Sequence, residues 1–357
     1  MNESNFRHRG KLARDFIYSS SLRINVLLND LIDSKIKELG SIDSTFEKML
    51  IHFKELSQGG KKFRGGLVKL GYLASGGSAT EEIYYPGAAI EIFQTGILVH
   101  DDISDKASRR RGVPTIHEVF ESEYDSSYGF DMAMYAGDFS FYFSYEVLLN
   151  SKFPKDLIIK ACDVYSKYTQ SIVAGQVMDV SASKMKMDVD DVFIKKVYKY
   201  KTSQYTGVLP LLLGYELAGS SDADVREALI KYGECLGLIY QIQDDILDIF
   251  GDEINTGKIL GRDITEGKNT LLSKYALTSG DHAHVSELKE LFGKNLTETD
   301  ILKAREIMVQ TGSLEKVKKI VDENRELALK QINNITSISE ISSILESLID
   351  YVYYRNL

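Results

Sequence analysis

Apolar residues recur at helical spacing along most of this chain. Phe93, Ile97, Asp101 and Asp105 follow one another at steps of four, so they share one helix face that passes from apolar to acidic side chains. Pro86 suits the first turn of that helix. We find no alternation of apolar and polar residues long enough to predict a sheet. The pattern therefore predicts an all-α protein, in which this helix lines a cavity that is apolar at depth and charged at its mouth.

Loop signals punctuate the helical pattern without dividing the chain. Clusters of Gly, Ser, Asp and Pro at 75–80, 151–156, 218–224 and 278–284 predict loops between helices. No low-complexity linker or change in composition marks a domain boundary. We therefore predict a single domain over residues 1–357.

Composition and charge narrow the class of protein. Hydrophobic residues make up 43% of the chain and only 4 residues are proline, which fits a helical protein with a sizeable core. A net charge of −9 argues against general nucleic-acid binding, which needs a basic face. Basic residues nevertheless cluster in the segments GGKKFRGG, RRR, KKVYKYK and GRDITEGK. Local positive charge in an acidic protein favours small, highly charged anions as ligands.

Cysteines and terminal segments predict a cytoplasmic protein. Cys162 and Cys235 lie in apolar segments and predict neither a disulfide framework nor a metal site. The polar N-terminus lacks the apolar stretch of a signal peptide. The longest apolar run, GVLPLLLGYELAG, is shorter than the ~18 residues that a membrane span needs. We expect no transmembrane segment.

The segment ILVHDDISDKASRRRG sets three carboxylates beside three arginines. On a helix, Asp101 and Asp105 share a face, and Asp102 lies about 100° round. One interpretation is a solvated helix end with local ion pairs. The other is a site where the aspartates hold Mg²⁺, which prefers carboxylate oxygens and keeps open positions for substrate phosphates. The arginines would then bind the same phosphates.

A second acidic motif decides between these interpretations. In QIQDDILDIFGD, Asp244, Asp245 and Asp248 repeat the spacing of the first motif. Like charges at this spacing repel one another unless a cation is shared between them. Two such motifs, each at the end of an apolar helix, predict Mg²⁺ sites.

Taken together, the motifs resemble those of the trans-isoprenyl diphosphate synthases, the polyprenyl synthetase family. The resemblance rests on GGKKFRGG, DDISD followed by RRRG, KTSQYTG, and QIQDDILDIFGD with its trailing lysines. It implies an all-α bundle around a deep central cavity, the isoprenoid synthase fold, and a homodimer. It also implies a Mg²⁺-dependent prenyltransferase that adds isopentenyl diphosphate to an allylic diphosphate.

The resemblance assigns roles to individual residues. The predicted Mg²⁺ ligands are Asp101, Asp102, Asp105, Asp244 and Asp248. Further contacts to the allylic diphosphate would come from Arg110, Lys201, Lys258 and Lys268. The isopentenyl diphosphate would be held by Lys61, Arg64, Gln94 and Arg111. The residues near the reacting carbons would be Lys201, Thr202 and Gln241.

Several residues in and around these motifs carry less weight. Asp245 lies off the metal-facing side of its helix, and His100 is interpreted as a packed residue. Lys62 stands where many family members have Arg, which leaves the spacing of the motif intact. Of the C-terminal segment YVYYRNL, only Arg355 could cover the second substrate.

The chemistry follows from the residue types. An allylic diphosphate ionises to a delocalised cation once the charge of the leaving group is neutralised by Mg²⁺, Lys and Arg. Apolar walls and the dipoles of Lys201, Thr202 and Gln241 would surround that cation. The double bond of the isopentenyl group then attacks, and the released diphosphate is the expected proton acceptor.

Product length depends on what lies below the first acidic motif. Ile97 is expected about 6 Å and Phe93 about 12 Å beneath the metals. Family members that stop at farnesyl diphosphate carry aromatic residues at the positions of Gly96 and Ile97, so their absence makes Phe93 the next barrier. We predict geranylgeranyl diphosphate as the main product, with farnesyl diphosphate or a longer product as alternatives. An aromatic residue of the segment 139–145 could block the tunnel sooner.

Three other functions remain open at this point. A terpene cyclase shares the fold but has no use for the GGKKFR element and usually carries a different second metal motif. A non-catalytic subunit of a heteromeric synthase commonly lacks the aspartates that are present here. A helical scaffold would bind no diphosphate.

Overall fold

The computed structural model describes residues 10–185, 188–251 and 260–354. Regular structure in these ranges is helical except for one pair of two-residue strands, which confirms the all-α prediction. No helix in the described ranges combines the length and the apolar character needed to cross a membrane. Cys162 and Cys235 are free thiols, as expected.

The first half of the chain contains seven helices within the described residues. These are α1 Lys11–Leu39, α2 Ser44–Gln58, α3 Phe63–Ala74, α4 Tyr84–Asp105, α5 Ile116–Glu121, α6 Ser126–Leu149 and α7 Lys155–Lys184. A 3₁₀ turn, Glu81–Ile83, precedes α4. Strands β1 Arg109–Arg110 and β2 Val113–Pro114 form a short hairpin between α4 and α5.

The second half is also helical wherever it is described. Its elements are α8 Asp191–Val197, a π-helix Tyr198–Val208, α9 Leu209–Leu217, α10 Ala223–Phe250, α11 Arg262–Thr265, α12 Leu271–Ser279, α13 His282–Leu291, α14 Glu298–Gln310, α15 Ser313–Ile335 and α16 Ser339–Tyr353. All four predicted loops separate helices, and α4 begins two residues before Pro86.

The chain divides into two compact units. The N-terminal unit comprises Asp15–Asp163 and Pro210–Ser221. The C-terminal unit comprises the residues before Asp15, Val164–Leu209, and the chain from Asp222 onward. That the two units belong to the single domain predicted from the sequence stays a prediction.

Helix α4 is the central helix of the N-terminal unit. Every residue from Pro86 to Gly96 is buried, which is the pattern of a helix enclosed on all sides. Its neighbours include α3 and α6. A glycine permits the close approach of α3, because a Cβ on Gly65 would lie 2.9 Å from the Gly87 carbonyl oxygen. Tight packing of this kind fixes the direction in which α4 delivers its acidic C-terminal end.

Helix α10 has the same role in the C-terminal unit. Apolar residues such as Leu229, Leu236 and Ile239 form its buried side, and it packs on the π-helix, α15 and α16. Glycines let the π-helix lie directly against it: a Cβ on Gly237 would lie 2.4 Å from Ser203 Cα. The second acidic motif therefore also ends a firmly packed helix.

Candidate active site

The first acidic motif lies in the last two turns of α4. The helix is closed by Lys106 at φ 52°, and the Ala107 N–H donates to the Asp102 carbonyl oxygen at 2.9 Å. This is the left-handed cap that usually requires glycine. Among the described residues, non-glycine residues adopt positive φ only at Lys62, Lys106 and Arg111. All three belong to the segments predicted to bind phosphate, where strained backbone conformations tend to concentrate.

The β1–β2 hairpin folds Arg110 back onto the motif. Arg111 and Gly112 have φ values of 53° and 84°, as a two-residue type I′ turn requires. Arg110 Nε then donates to Asp102 Oδ1 at 2.7 Å, and Arg110 Nη2 lies 3.6 Å from Asp101 Oδ2. Arg110 therefore partly neutralises the acidic helix end.

Asp102 differs from its two neighbours in the motif. It is 1% exposed, and burial raises its pKa to about 6 although Arg110 pulls in the opposite direction. Its Oδ2 is buried and accepts no hydrogen bond from any described residue. A buried carboxylate oxygen without a donor suits a cation, and carboxylates are the ligands that Mg²⁺ prefers. The side chains present therefore fit a magnesium site.

Arg111 joins the acidic helix end to the glycine-rich loop of α3. Its Nη1 donates to the Gly59 and Leu56 carbonyl oxygens at 2.8 and 3.0 Å. A Cβ on Gly59 would lie 2.3 Å from Arg111 Cδ, and one on Gly60 would lie 2.7 Å from Nη2. The arginine side chain lies where a side chain at either glycine would go, and the φ of 87° at Gly60 independently favours glycine. This contact places the Lys61 and Arg64 segment beside the hairpin.

Lys62 has a structural role that the sequence did not reveal. Its side chain is buried, and Nζ donates to the Gly59 carbonyl oxygen at 2.6 Å and also to that of Ser57. Burial lowers the pKa of this lysine to about 8, with the nearby Arg111 acting in the same direction. Lys62 and Arg111 together hold the loop that presents Lys61.

Glu91 and Gln94 are two of the three polar residues buried on α4 below the acidic motif. Glu91 Oε1 accepts a hydrogen bond from the Gly65 N–H at 2.9 Å, which ties the start of α3 to α4. Gln94 is 8% exposed, and its Oε1 has no hydrogen-bond partner among the described residues. An unsatisfied buried amide is uncommon in packed helices and fits a position that meets a polar ligand.

The structure shows which side chains surround the residues that were predicted to lie near the tunnel. Phe93 packs on Phe141 of α6, with ring centroids 4.9 Å apart. His100 meets the same ring at 5.3 Å and donates to the Met134 carbonyl oxygen, so it is a packed residue as expected. Gly96 faces α6, where a Cβ would lie 1.7 Å from Ser140 Oγ. A phenylalanine there would have to displace α6 before it could shorten a tunnel.

The π-helix carries Lys201 and Thr202. A Cβ on Gly175 of α7 would lie 2.3 Å from the Lys201 backbone nitrogen, so glycine is what lets α7 pack this closely. Lys201 Nζ donates to Asp179 Oδ2 at 2.5 Å. Short π-helical segments occur frequently at functional sites, because the extra residue per turn redirects side chains.

A buried hydrogen-bond chain links this π-helix to α10. The Thr202 hydroxyl donates to Gln241 Oε1 at 2.5 Å, and Gln241 Nε2 donates to Asp245 Oδ1 at 2.7 Å. The Tyr198 hydroxyl donates to Asp245 Oδ2. Burial raises the pKa of Asp245, whereas the hydrogen bonds from Tyr198 and Gln241 lower it. Asp245 is therefore committed to protein partners, in agreement with its predicted place off the metal-facing side.

Asp244 and Asp248 lie on the half-exposed side of α10. The carboxylate oxygens of Asp248 accept backbone N–H bonds from Arg262 at 3.2 Å and Asp263 at 3.0 Å. Lys268 forms an ion pair with Glu266. Lys258 and Arg355, which the sequence also singled out, lie outside the described residues.

No three Asp, Glu, His or Cys side chains in the described ranges are already gathered as a metal site. Carboxylates one helical turn apart repel one another, so they spread unless a cation binds.

A cavity of about 490 Å³ in the C-terminal unit is lined by residues such as Leu12, Arg325 and Asp350. None of the predicted site residues lines this cavity.

Comparison with known proteins decides the family. A model of the polyprenyl synthetase family matches residues 45–308. The chain belongs to the polyprenyl synthetase family. The geranylgeranyl diphosphate synthase of Sulfolobus acidocaldarius is 30% identical over 318 residues, 88% of this chain and 91% of that protein. The geranylfarnesyl diphosphate synthase of Aeropyrum pernix is 29% identical over 305 residues, 84% of this chain and 92% of that protein.

Solved structures agree with this assignment. The crystal structure of geranylgeranyl pyrophosphate synthase from Corynebacterium glutamicum, complexed with isoprenyl diphosphate and magnesium, matches with a TM-score of 0.90 at 26% identity. The match covers 95% of this chain and 99% of that one. The predicted family, fold class and enzyme class are confirmed: this polyprenyl synthetase is a prenyltransferase. The roles of its individual residues stay predictions.

Proposed function

We propose that this polyprenyl synthetase condenses isopentenyl diphosphate with an allylic diphosphate and that its main product is geranylgeranyl diphosphate. The observation that carries the proposal is that the β1–β2 hairpin contacts both the acidic end of α4 and the glycine-rich loop. Arg110 binds the acidic end of α4, and the adjacent Arg111 binds the glycine-rich loop. A site for an allylic diphosphate is thereby coupled to a second basic site, which a condensing enzyme needs and a terpene cyclase does not.

The chain supplies charged groups for the first step, in which the allylic diphosphate ionises and its diphosphate leaves. The carboxylates of Asp101, Asp102 and Asp105, and those of Asp244 and Asp248, are the proposed ligands of Mg²⁺. Bound Mg²⁺ supplies neutralising charge to the departing diphosphate. Arg110 and Lys201 add fixed positive charge for the same group, and Lys268 and Lys258 are proposed to do so too. The magnesium complex of the Corynebacterium enzyme supports this part of the proposal.

The second substrate would bind at the glycine-rich loop. Lys61, Arg64 and Arg111 provide positive charge there, and the buried Gln94 amide lies on the adjacent helix. The oxygen dipoles of Thr202 and Gln241 would face the cation after ionisation. We assign the final proton to the released diphosphate, because the described residues proposed to face the reacting carbons, Lys201, Thr202 and Gln241, include no His or Glu.

Analysis of the product tests the proposal directly. Purified enzyme with Mg²⁺, isopentenyl diphosphate and geranyl or farnesyl diphosphate should yield geranylgeraniol after dephosphorylation and chromatography. Omitting Mg²⁺ should abolish the product. A cyclic hydrocarbon formed without isopentenyl diphosphate would instead identify a terpene cyclase, and failure of all primers would identify a non-catalytic chain.

The Phe93–Phe141 pair is proposed as the floor that limits product length. Removing either ring should let the prenyl chain grow past geranylgeranyl diphosphate, so Phe93→Ala and Phe141→Ala should each lengthen the product. Ile97→Phe, nearer the acidic motif, should shorten it. The measurement is chromatography of the dephosphorylated products.

A neighbouring aromatic residue provides the control. Phe139 contacts Phe46, Phe53 and Phe143, so Phe139→Ala should leave the product length unchanged. Unchanged products in both Phe93→Ala and Phe141→Ala would contradict the assignment of the floor.

A homodimer is proposed from the family and from one exposed helix face. Tyr135, Tyr142 and Leu149 follow one another at steps of seven on α6 and are 54%, 79% and 55% exposed. An apolar stripe of this size on one helix face is typical of an interface. Light scattering should give twice the chain mass of 40.2 kDa, and a monomer would contradict the proposal. The cytoplasmic location also stays a prediction.

A further inference from the structure

Tyr198 occupies a central position that none of the predicted roles covers. It is the first residue of the π-helix, and it is 4% exposed. Its hydroxyl donates to Asp245 Oδ2 and accepts the Leu271 backbone N–H at 2.9 Å. Leu271 is the first residue of α12. One phenol group therefore fixes the position of a carboxylate on α10 relative to the start of another helix.

The Asp245 carboxylate passes this constraint to Gln241. With one oxygen bound by Tyr198, the other accepts from Gln241 Nε2 at 2.7 Å. An amide must turn its N–H₂ group toward a carboxylate, because its carbonyl oxygen would be repelled. Gln241 Oε1 is thereby directed at Thr202, whose hydroxyl donates to it at 2.5 Å. The chain of hydrogen bonds has a single direction.

That direction determines which atoms face a nearby cation. The Thr202 hydroxyl proton is used by Gln241, so only lone pairs of the hydroxyl oxygen remain available. The second lone pair of Gln241 Oε1 is available in the same way. Oxygen lone pairs stabilise a developing positive charge, whereas an N–H₂ group in the same place would oppose it.

We propose that Tyr198 is a positioning residue that, through Asp245, sets the polarity of the Gln241–Thr202 pair toward the allylic cation. The inference rests on the proposed function, because Thr202 and Gln241 are assigned there to the reacting carbons. Tyr198 itself touches neither substrate. Its hydroxyl acts on the reaction only by fixing the orientation of the amide.

Removing this one hydroxyl group tests the inference. In Tyr198→Phe the ring remains, but Asp245 loses a hydrogen-bond donor and the side-chain amide of Gln241 can rotate by about 180°. We expect kcat to fall about tenfold, as for other residues that orient a reacting group, with both KM values within about threefold of wild type. A larger share of the ionised allylic diphosphate should be captured by water, measured as prenyl alcohol released per condensation.

Tyr232→Phe is the matched control. Tyr232 is also buried in the C-terminal unit, and its hydroxyl donates to the Leu345 carbonyl oxygen at 2.7 Å. The variant therefore loses a buried hydroxyl of the same kind without touching the Asp245 chain. Its kcat and alcohol fraction should stay within about twofold of wild type, even if its midpoint of thermal unfolding falls as far as that of Tyr198→Phe.

A double-mutant cycle separates positioning from general destabilisation. If Tyr198 acts through the amide, Tyr198→Phe should cause no further loss of kcat in a Gln241→Met background. Should Tyr198→Phe fail to fold, Asp245→Asn breaks the same chain and should raise the alcohol fraction in the same way.

Three results would overturn the inference. The first is an alcohol fraction in Tyr198→Phe, or in Asp245→Asn if it replaces that variant, no higher than in Tyr232→Phe. The second is an effect of Tyr198→Phe that multiplies with that of Gln241→Met. The third is a wild-type enzyme that condenses no substrate pair, which would overturn the proposed function as well and is recognised before any variant is made.

Discussion

Asp101→Asn and Asp244→Asn should each lower kcat by about a thousandfold while the helical content stays unchanged. Each substitution keeps the shape of the side chain and removes one negative charge from the end of a packed helix. Because Mg²⁺ affinity depends on carboxylate charge, the departing diphosphate would lose its main neutralising group. Steady-state turnover measures the effect, and circular dichroism verifies the fold.

A surface acid on the same helix is the control for the second motif. Glu227 of α10 pairs with Lys231 at 2.7 Å and is well exposed, so its charge contributes little to stability. The Glu227→Gln variant should have the kcat of the wild-type enzyme. Near-normal turnover in either Asp101→Asn or Asp244→Asn would remove that motif from the metal site, and raising the Mg²⁺ concentration should partly restore both variants if the assignment is right.

Arg64→Ala and Arg111→Ala should raise the KM for isopentenyl diphosphate by roughly 10- to 100-fold, the loss expected for one charged hydrogen bond. The KM for the allylic diphosphate should change by less than about threefold, because Arg110 and the acidic end of α4 are untouched. Initial rates at varied concentrations of each substrate measure the two constants separately.

Lys54→Ala controls for loss of positive charge in the same unit. Lys54 of α2 pairs with Asp33 of α1 at 2.6 Å. It should leave both KM values unchanged. An equal rise of both KM values in Arg64→Ala would show that the basic residues do not divide between two sites in the proposed way.

Local signals were enough to predict the helices that carry the chemistry. The repeat of Phe93, Ile97, Asp101 and Asp105 depends only on residues within a few turns, and α4 confirms it. The four loops were also predicted, because Gly, Ser, Asp and Pro act on the backbone within a few residues. The two acidic motifs were visible for the same reason.

Contacts between distant segments could not be read in this way. Arg111 reaches Gly59 across 52 positions, and only the fold shows that its side chain lies against both loop glycines. Gly96 was assigned to the tunnel from the family resemblance, and only the fold shows that its neighbour is Ser140 on another helix. The sequence showed Lys62 only as a replacement for Arg in its motif, and the fold shows that its side chain is buried.

The KKVYKYK segment shows a related limit. Its charge suggested an anion site, and Lys201 is proposed to serve one, whereas Lys195 and Lys199 each pair with a separate acid. Tyr198, in the middle of this basic run, is buried and holds the Asp245 chain. Composition does not distinguish a surface tyrosine from a buried one when lysines surround both.

The π-helix has a consequence for how the length of this protein can vary. Each side chain of a helix has a fixed angular position, so deleting a single residue such as Ser203 would move every side chain on one side of the deletion to the position of its neighbour. The chain on one side of the deletion would then turn by about 100° relative to the other side. Lys201 and Thr202 could no longer keep their present partners on α7 and α10 together. We therefore expect this protein to tolerate an exchange of side chains in the π-helix far better than the gain or loss of a residue there.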